Sequence, residues 1–240
     1  MQALRLLDHT YRTAAENLAC EEQLLDACAR DDAPGVLRFW EPTECFVVLG
    51  YSNRIATEVN EPACRQDGIP VYRRCSGGGT VMQLPGCLNY ALVLPAPSDS
   101  VTETNRWIMT RQRDAIADAL QRVGLPGLVS VEGFTDLALD GRKFSGNSQR
   151  RKRRYVLFHG SFLLSADLAR ISRYLHMPTR QPAYRQNRPH EQFLCNLPLP
   201  AALVKQQLAA TWQATDPIAP PKIPPGRIAQ HESPEWIRRF

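Results

Sequence analysis

Three consecutive glycines, Gly77-Gly78-Gly79, stand between two short β-rich runs. They strip every Cβ from the turn that joins those runs, so backbone N–H groups there can come close to a ligand. Arg73 and Arg74 bring fixed guanidinium donors to the same edge. The surroundings exclude two well-known glycine loops, because neither the phosphate-binding G-x-x-x-x-G-K-[ST] nor the dinucleotide G-x-G-x-x-G is present. Taken alone, the triplet fits a flexible hairpin better than a binding loop.

The flanking segments set the fold class. A first helix is expected from Thr13, where Thr13 and Glu16 have capping-box spacing and Leu18, Leu24, Leu25 and Cys28 form an apolar stripe to about Arg30. Strands are expected over Val36 to Trp40, Cys45 to Leu49, Ile69 to Tyr72 and Leu88 to Leu94. A second long helix covers Thr102 to about Val123 and ends at Gly124. Thr135 to Leu139, Lys143 to Ser145 and Tyr155 to Leu164 then read as hairpin-connected strands around an Asp140-Gly141 turn. Consecutive strands broken by single helices fit a mixed sheet in an α+β fold better than repeated βαβ units. Eleven of the 19 prolines fall in residues 178–240, where only Ala201 to Thr215 has helical character, so the tail is expected to wrap the domain.

Composition narrows the function classes. The chain has 240 residues, 43% of them hydrophobic, and no apolar run near the roughly 20 residues that cross a bilayer. Its opening residues lack an export-signal pattern, so the cytosol (a cytoplasmic location) is the expected compartment and no membrane partner is expected. Seven cysteines, at 20, 28, 45, 64, 75, 87 and 195, include no C-x-x-C pair, which argues against structural zinc and for buried thiols in a reducing compartment. The net charge of +5 favours acidic or phosphorylated partners. Only four of the 29 basic residues are lysines, at 143, 152, 205 and 222, which raises the question of what an ammonium supplies at position 143. The run Arg150-Arg-Lys-Arg-Arg154 lacks interleaved aromatics, so no nucleic-acid partner is expected; it fits an acidic docking partner or a solvated hairpin tip.

A second informative stretch runs from Gly133 to Gln149, followed by His159-Gly160-Ser161. Asp136 is suited to a divalent cation, Lys143 to a compact charge between carboxylate and phosphate, and Gly146 to close backbone approach. The chemistry suggested is carboxylate activation, although an Asp or Lys beside a turn is also a common solvated hairpin residue.

Together the pattern R-R-x-S-G-G-G-x-V then G-x-L-N (Arg73 to Val81, Gly86 to Asn89), D-L then G-x-K-x-S-G (Asp136-Leu137, Gly141 to Gly146) and H-G (His159-Gly160) resembles the lipoate–protein ligase branch of the biotin/lipoate/octanoate attachment family. The resemblance spans about residues 10–170 and implies a mixed, largely antiparallel central sheet flanked by helices, in the class II synthetase-like arrangement. It implies a catalytic domain over residues 1–200, with residues 201–240 a Pro-rich extension packed on it and no full accessory domain. Arg73, Arg74, Ser76, Gly77, Gly78, Gly79, Val81 and Asn89 would line an acyl and nucleotide pocket, with Val71, Val81 and Leu88 offered to the acyl chain. Lys143 would be the catalytic cation and Asp136 a Mg²⁺ ligand, while Ser145, Gly146, Asn147, Ser148, Gln149, His159 and Gly160 would finish the wall. The implied reaction consumes ATP with Mg²⁺, takes lipoate or octanoate as substrate, and acylates a lysine of lipoyl-domain proteins such as 2-oxoacid dehydrogenase E2 subunits and the glycine cleavage H protein. Gln83-Leu84 stands where many relatives have a histidine-acid pair, and Thr135 where they have asparagine.

Two alternatives stay open. An octanoyltransferase would need an activated cysteine downstream of the H-G strand, and Cys195 is the only one there. A lipoate-binding subunit would need a separate accessory ligase polypeptide.

Overall fold

In the computed structural model, which describes residues 3–240, the Thr13 hydroxyl accepts the Glu16 N–H at 3.2 Å and the Glu16 carboxylate takes the Thr13 N–H at 2.9 Å. This reciprocal cap starts helix α1 (Ala14–Asp31), which ends at Asp32 in the left-handed region. The remaining helices are α2 (Ile55–Glu58), α3 (Glu61–Gln66), α4 (Val101–Arg122), α5 (Ala169–Tyr174), α6 (His190–Phe193), α7 (Ala201–Thr211), α8 (Pro225–Glu232) and α9 (Pro234–Ile237). The strands are β1 (Leu4–Asp8), β2 (Val36–Trp40), β3 (Phe46–Leu49), β4 (Val71–Arg73), β5 (Val81–Gln83), β6 (Cys87–Pro95), β7 (Val129–Glu132), β8 (Asp136–Leu139), β9 (Arg142–Lys152), β10 (Tyr155–Leu163) and β11 (Ala214–Pro217).

The α+β fold and the largely antiparallel mixed sheet expected from the sequence are present. Eight strands pair in the order β11-β1-β2-β6-β10-β9-β8-β7, and only the β1 pairings with β2 and β11 are parallel. A second sheet pairs β4-β3-β5. Alternation along the central strands then decides which residues face which layer. On one face Tyr90, Leu92, Phe158 and Phe162 pack against Ile108, Met109 and Ile116 of α4 and Leu208 of α7. On the other, Ala91, Val93 and Leu157 meet α1 through Ala19, Leu24 and Leu25. Farther along the same face, Cys87 and Leu163 meet the small sheet through Val47, Leu49 and Met82. The polar residues of the site lie on this second face, between α1 and the small sheet.

Several elements differ from the sequence reading: helices α2, α3 and α5 and strand β7 were not expected, and α6, α8 and α9 add helix to the Pro-rich tail, where only Ala201 to Thr215 was expected to be helical. Strand β9 is 11 residues long, not three, because its polar residues are held by pairing on both sides with β8 and β10 and not by β propensity. The helix expected to Thr215 stops at Thr211; Gln213 turns left-handed (φ 51°) and the chain continues as edge strand β11. Strand β1 was not anticipated. No helix among the described residues is long and apolar enough to cross a membrane.

Candidate active site

Strand register assembles the site. Asp136 lies opposite Gly146, Gly146 opposite Ser161, Ser161 opposite Asn89 and Asn89 opposite Trp40, so β8, β9, β10, β6 and β2 place one row on a single face. The next row on that face is Ser148, His159, Ala91 and Arg38.

Lys143 lies over the first row. Its Nζ is 2.8 Å from Asp136 Oδ1, and the Tyr184 hydroxyl donates to Asp136 Oδ2 at 2.8 Å. Burial, with the Asp136 charge beside it, pushes the Tyr184 phenol well above its ordinary range, so it stays a donor. A Cβ at Gly146 would stand 2.7 Å from Lys143 Nζ; only glycine leaves the ammonium its place. One strand repeat away, Ser148 Oγ donates to Gly77 O at 2.8 Å, which ties the lysine's strand to the glycine loop.

The loop is held from beneath by Arg74. This fully buried guanidinium donates to Gly77 O at 2.5 Å, to Gly79 O at 2.8 Å and to Ser76 Oγ at 3.0 Å. Burial lowers its pKa to about 10. Gly78 sits at φ +83°, and the N–H groups of Gly77, Gly78 and Gly79 make no hydrogen bond among the described residues. Ser76 Oγ lies 2.5 Å from His159 Nε2, and His159 Nδ1 meets the Glu21 carboxylate. Burial alone would raise the Glu21 carboxyl, but His159, Arg38 and the Trp40 N–H (2.9 Å) outweigh it and hold it below its ordinary value.

The structure therefore brings Arg74, Ser76, the three glycines, Asn89, Asp136, Lys143, Gly146, Ser148 and His159 to one face. It turns other expected residues elsewhere. Arg73 is fully buried and donates to the carbonyls of Gly50, Tyr51 and Asn53 (each 2.8 Å) and of Trp236 and Ile237, clasping the C-terminal segment to β4. Ser145, Asn147 and Gln149 face α4, where Asn147 accepts from Tyr90 at 2.6 Å and Gln149 donates to Asn105. Gly160 lies opposite Asn147 and leaves room for its carboxamide. Asn89 spends its amide on a reciprocal pair with Gln83, at 2.9 Å each way. Val81 packs beside Leu18, Trp40, Phe46 and Val48, and Val71 beside the small-sheet core, whereas Leu88 is buried on the α4 face.

The basic run folds back onto the molecule while its tip, Lys152 to Arg154, stays exposed. Arg150 donates to Cys75 O, Arg151 to the carbonyls of Ser98, Asp99 and Ser100, and Arg153 to Ala29 O, while Lys152 and Arg154 pair with Asp26 and Asp32. It is a clasp between β9, α1 and the start of α4. Cys195 Sγ lies against Arg142 O at 3.3 Å, and burial raises its thiol pKa. Glu21, Arg38 and Tyr184 were missed in the sequence, and Gln83 was noted there only as a departure from the family pattern. For Glu21 a signal existed: a carboxylate inside the apolar stripe of α1, between Leu18 and Leu25.

The described residues hold no group of three or more His, Cys, Asp or Glu side chains able to hold a metal ion, and both oxygens of Asp136 are engaged by Lys143 and Tyr184.

Residues 13–210 match the family model of the lipoyl protein ligase A/B catalytic domain. A Mycoplasma pneumoniae protein named a probable lipoate-protein ligase A is 30% identical over 67% of this chain and 45% of its own length. An octanoyltransferase LipM of Symbiobacterium thermophilum is 31% identical over 75% of this chain and 72% of its own length. The chain thus spans about half the length of the ligase relative. Among solved structures, a lipoate-protein ligase A bound with ATP superposes with TM-score 0.78 at 20% identity, covering 99% of both chains. A bi-partite lipoate protein ligase, described with its E2 lipoyl domain, from Thermoplasma acidophilum superposes with TM-score 0.77 at 19% identity, covering 99% of this chain and 96% of that one.

Proposed function

The chain belongs to the lipoyl protein ligase A/B catalytic-domain family, and we propose that it joins lipoate or octanoate to ATP as an acyl-adenylate and passes the acyl group to a lysine of a lipoyl domain. The observation that carries this reading is the Lys143 ammonium, fixed by Asp136 over Gly146 and one strand repeat from the residue that holds the glycine loop. Forming the mixed anhydride brings a carboxylate against an α-phosphate, and a cation held between them stabilises the transition state more than either separated anion. The free N–H groups of Gly77, Gly78 and Gly79 are available to the phosphate or acyl oxygens. Arg74 keeps that loop's carbonyls turned inward and so helps to aim its N–H groups outward. The acceptor lysine then attacks the acyl carbonyl and AMP leaves. No step is assigned to a metal held by the protein.

The LipM relatives favour a second reading, transfer from an acyl carrier without ATP. Cys195 supports it poorly, since its thiol is hydrogen-bonded to a backbone carbonyl and raised in pKa. The test is to supply purified protein with ATP, Mg²⁺ and lipoate or octanoate. Pyrophosphate release, followed by acylation of an added lipoyl domain, is expected. Release only after a second polypeptide is added would make the chain the acyl-binding half of a bipartite enzyme, and acylation from an acyl thioester alone would make it a transferase.

A further inference from the structure

One cluster in the site has no task in adenylation. Ser76, His159 and Glu21 form a hydroxyl–imidazole–carboxylate line. Arg74 Nε donates to Ser76 Oγ at 3.0 Å, and Ser76 Oγ lies 2.5 Å from His159 Nε2, within reach of a hydrogen passed either way. Glu21, held ionised beside Arg38 (3.8 Å) and the Trp40 N–H, takes the hydrogen of His159 Nδ1. With its hydrogen on Nδ1, the imidazole turns the Nε2 lone pair to the serine hydroxyl, which is the arrangement of an activated nucleophile with its general base and orienting acid. Joining a carboxylate to a nucleotide phosphate requires no such base. The three residues come from β10, α1 and the loop after β4, separated by 83 and 138 positions in sequence, so their alignment is a product of the fold.

We propose that Ser76 is an acyl-accepting nucleophile, which takes an acyl group from a thioester without ATP and holds it as a serine ester before transfer to the acceptor lysine. In the first half-reaction Ser76 Oγ bonds to the thioester carbonyl carbon and the C–S bond breaks. The hydroxyl proton passes to His159 Nε2 and then to the departing thiolate, which leaves as a thiol. In the second, the lysine nitrogen bonds to the carbonyl carbon, the C–Oγ bond breaks, and His159 carries the amine proton back to Oγ. Both halves are redox-neutral. The N–H groups of Gly77 to Gly79 follow Ser76 in the chain and make no hydrogen bond among the described residues, which leaves them free for a developing oxyanion. Arg74 favours the serine alkoxide by its charge. Ser76 is 1% exposed, which shields an ester from water, and the space beside Gly77 and Gly79 on the neighbouring loop is open.

This inference rests on the proposed function only for the identity of the acyl group. The test is acid-quenched intact-mass and peptide mass spectrometry of the full chain after incubation with octanoyl-CoA and no ATP, alongside thermal melts with free octanoate. One octanoyl increment is expected on the peptide containing Ser76, absent in Ser76→Ala and formed about 10²–10⁴-fold more slowly in His159→Gln. Ser76→Cys should take the same group as a thioester released by neutral hydroxylamine, and Cys195→Ser should label as the unaltered protein does. A melting temperature raised by octanoate with no acyl group on residue 76 in either wild type or Ser76→Cys would overturn the nucleophile and leave the acyl slot standing. Acylation of Cys195 instead would also overturn it. No response to octanoate and no label would bring down both readings.

Discussion

Lys143→Ala separates the catalytic role proposed for the ammonium from its structural one, because the two differ in magnitude. The ion pair with Asp136 is partly exposed, 25% at the lysine and 14% at the aspartate, and pairs of this kind contribute about 1 kcal/mol or less. Asp136 also keeps the Tyr184 hydroxyl at 2.8 Å, so its carboxylate is not stranded when the lysine goes. For a domain of this size the melting temperature should fall by about 2–4 °C. The loss in rate is larger. Removing one preorganised donor from a developing charge costs roughly 2.7–4 kcal/mol, or about 10²–10³ in rate. Pyrophosphate release under saturating ATP and octanoate is the assay, with a thermal melt of the same sample as the control for folding. Lys143→Arg should melt like wild type yet recover little activity, since a planar fork does not sit where a compact ammonium fits over Gly146. A folded Lys143→Ala protein with activity within about tenfold of wild type would refute the reasoning.

Other perturbations test the surrounding geometry. In Gly146→Ala the new methyl would stand 2.7 Å from Lys143 Nζ and 2.8 Å from Cε, the movable end of a side chain. The fold should survive within a few degrees while the displaced ammonium loses about 10²-fold in turnover, and unchanged turnover would place the ammonium elsewhere. Arg73→Ala would leave the carbonyls of Gly50, Tyr51, Asn53, Trp236 and Ile237 without their shared donor. Urea unfolding should report a loss of about 3–5 kcal/mol, and a loss below about 1 kcal/mol would contradict the clasp. His190 is held neutral down to about pH 4 against an ordinary 6.5, chiefly by burial and then by Arg185, so the unfolded chain binds the proton first. Stability should accordingly be level above pH 6.5 and fall as pH drops from 6.5 towards 4. His190→Gln should flatten that interval, and a level wild-type profile would refute the assignment. The lowered Glu21 carboxyl adds a second loss that begins near its ordinary value of 4.5 and completes below it.

The parts of the fold that were legible are those written in local chemistry. The Thr13–Glu16 cap, the apolar stripe of α1 and the glycine at the end of α4 each depend on residues within one or two turns, and each is where the sequence puts it. Strand β9 was not legible along its length, since Arg142–Lys152 has no apolar alternation and owes its conformation to the neighbours on either side.

At the site the difficulty was of another kind. A motif is read as a block of adjacent residues, but an extended chain deals adjacent residues to opposite faces. Arg73 and Arg74 stand next to each other in the R-R-x-S-G-G-G pattern; Arg74 turns under the glycine loop and Arg73 turns away to the C-terminal segment. Gly146 and Ser148 face the lysine and the loop, while Ser145, Asn147 and Gln149 between and around them serve α4. The converse holds for Glu21, which lies 138 residues from His159 in sequence and touches it in space because α1 crosses the face on which β10 presents the imidazole. Spacing within a motif thus narrowed the candidate site to a few strands, and only register could say which half of each motif faces it. The same register predicts the outcome of swapping partners. Among the five consecutive positions of Ser145 to Gln149, alanine at Ser148 should weaken the glycine loop, whose Gly77 carbonyl it binds at 2.8 Å, whereas alanine at Gln149 should loosen its contacts with Asn105 and Val101 on α4 and with Arg151 and leave turnover within about twofold. Equal losses of turnover at the two positions, measured on folded protein, would mean that strand alternation does not divide the motif.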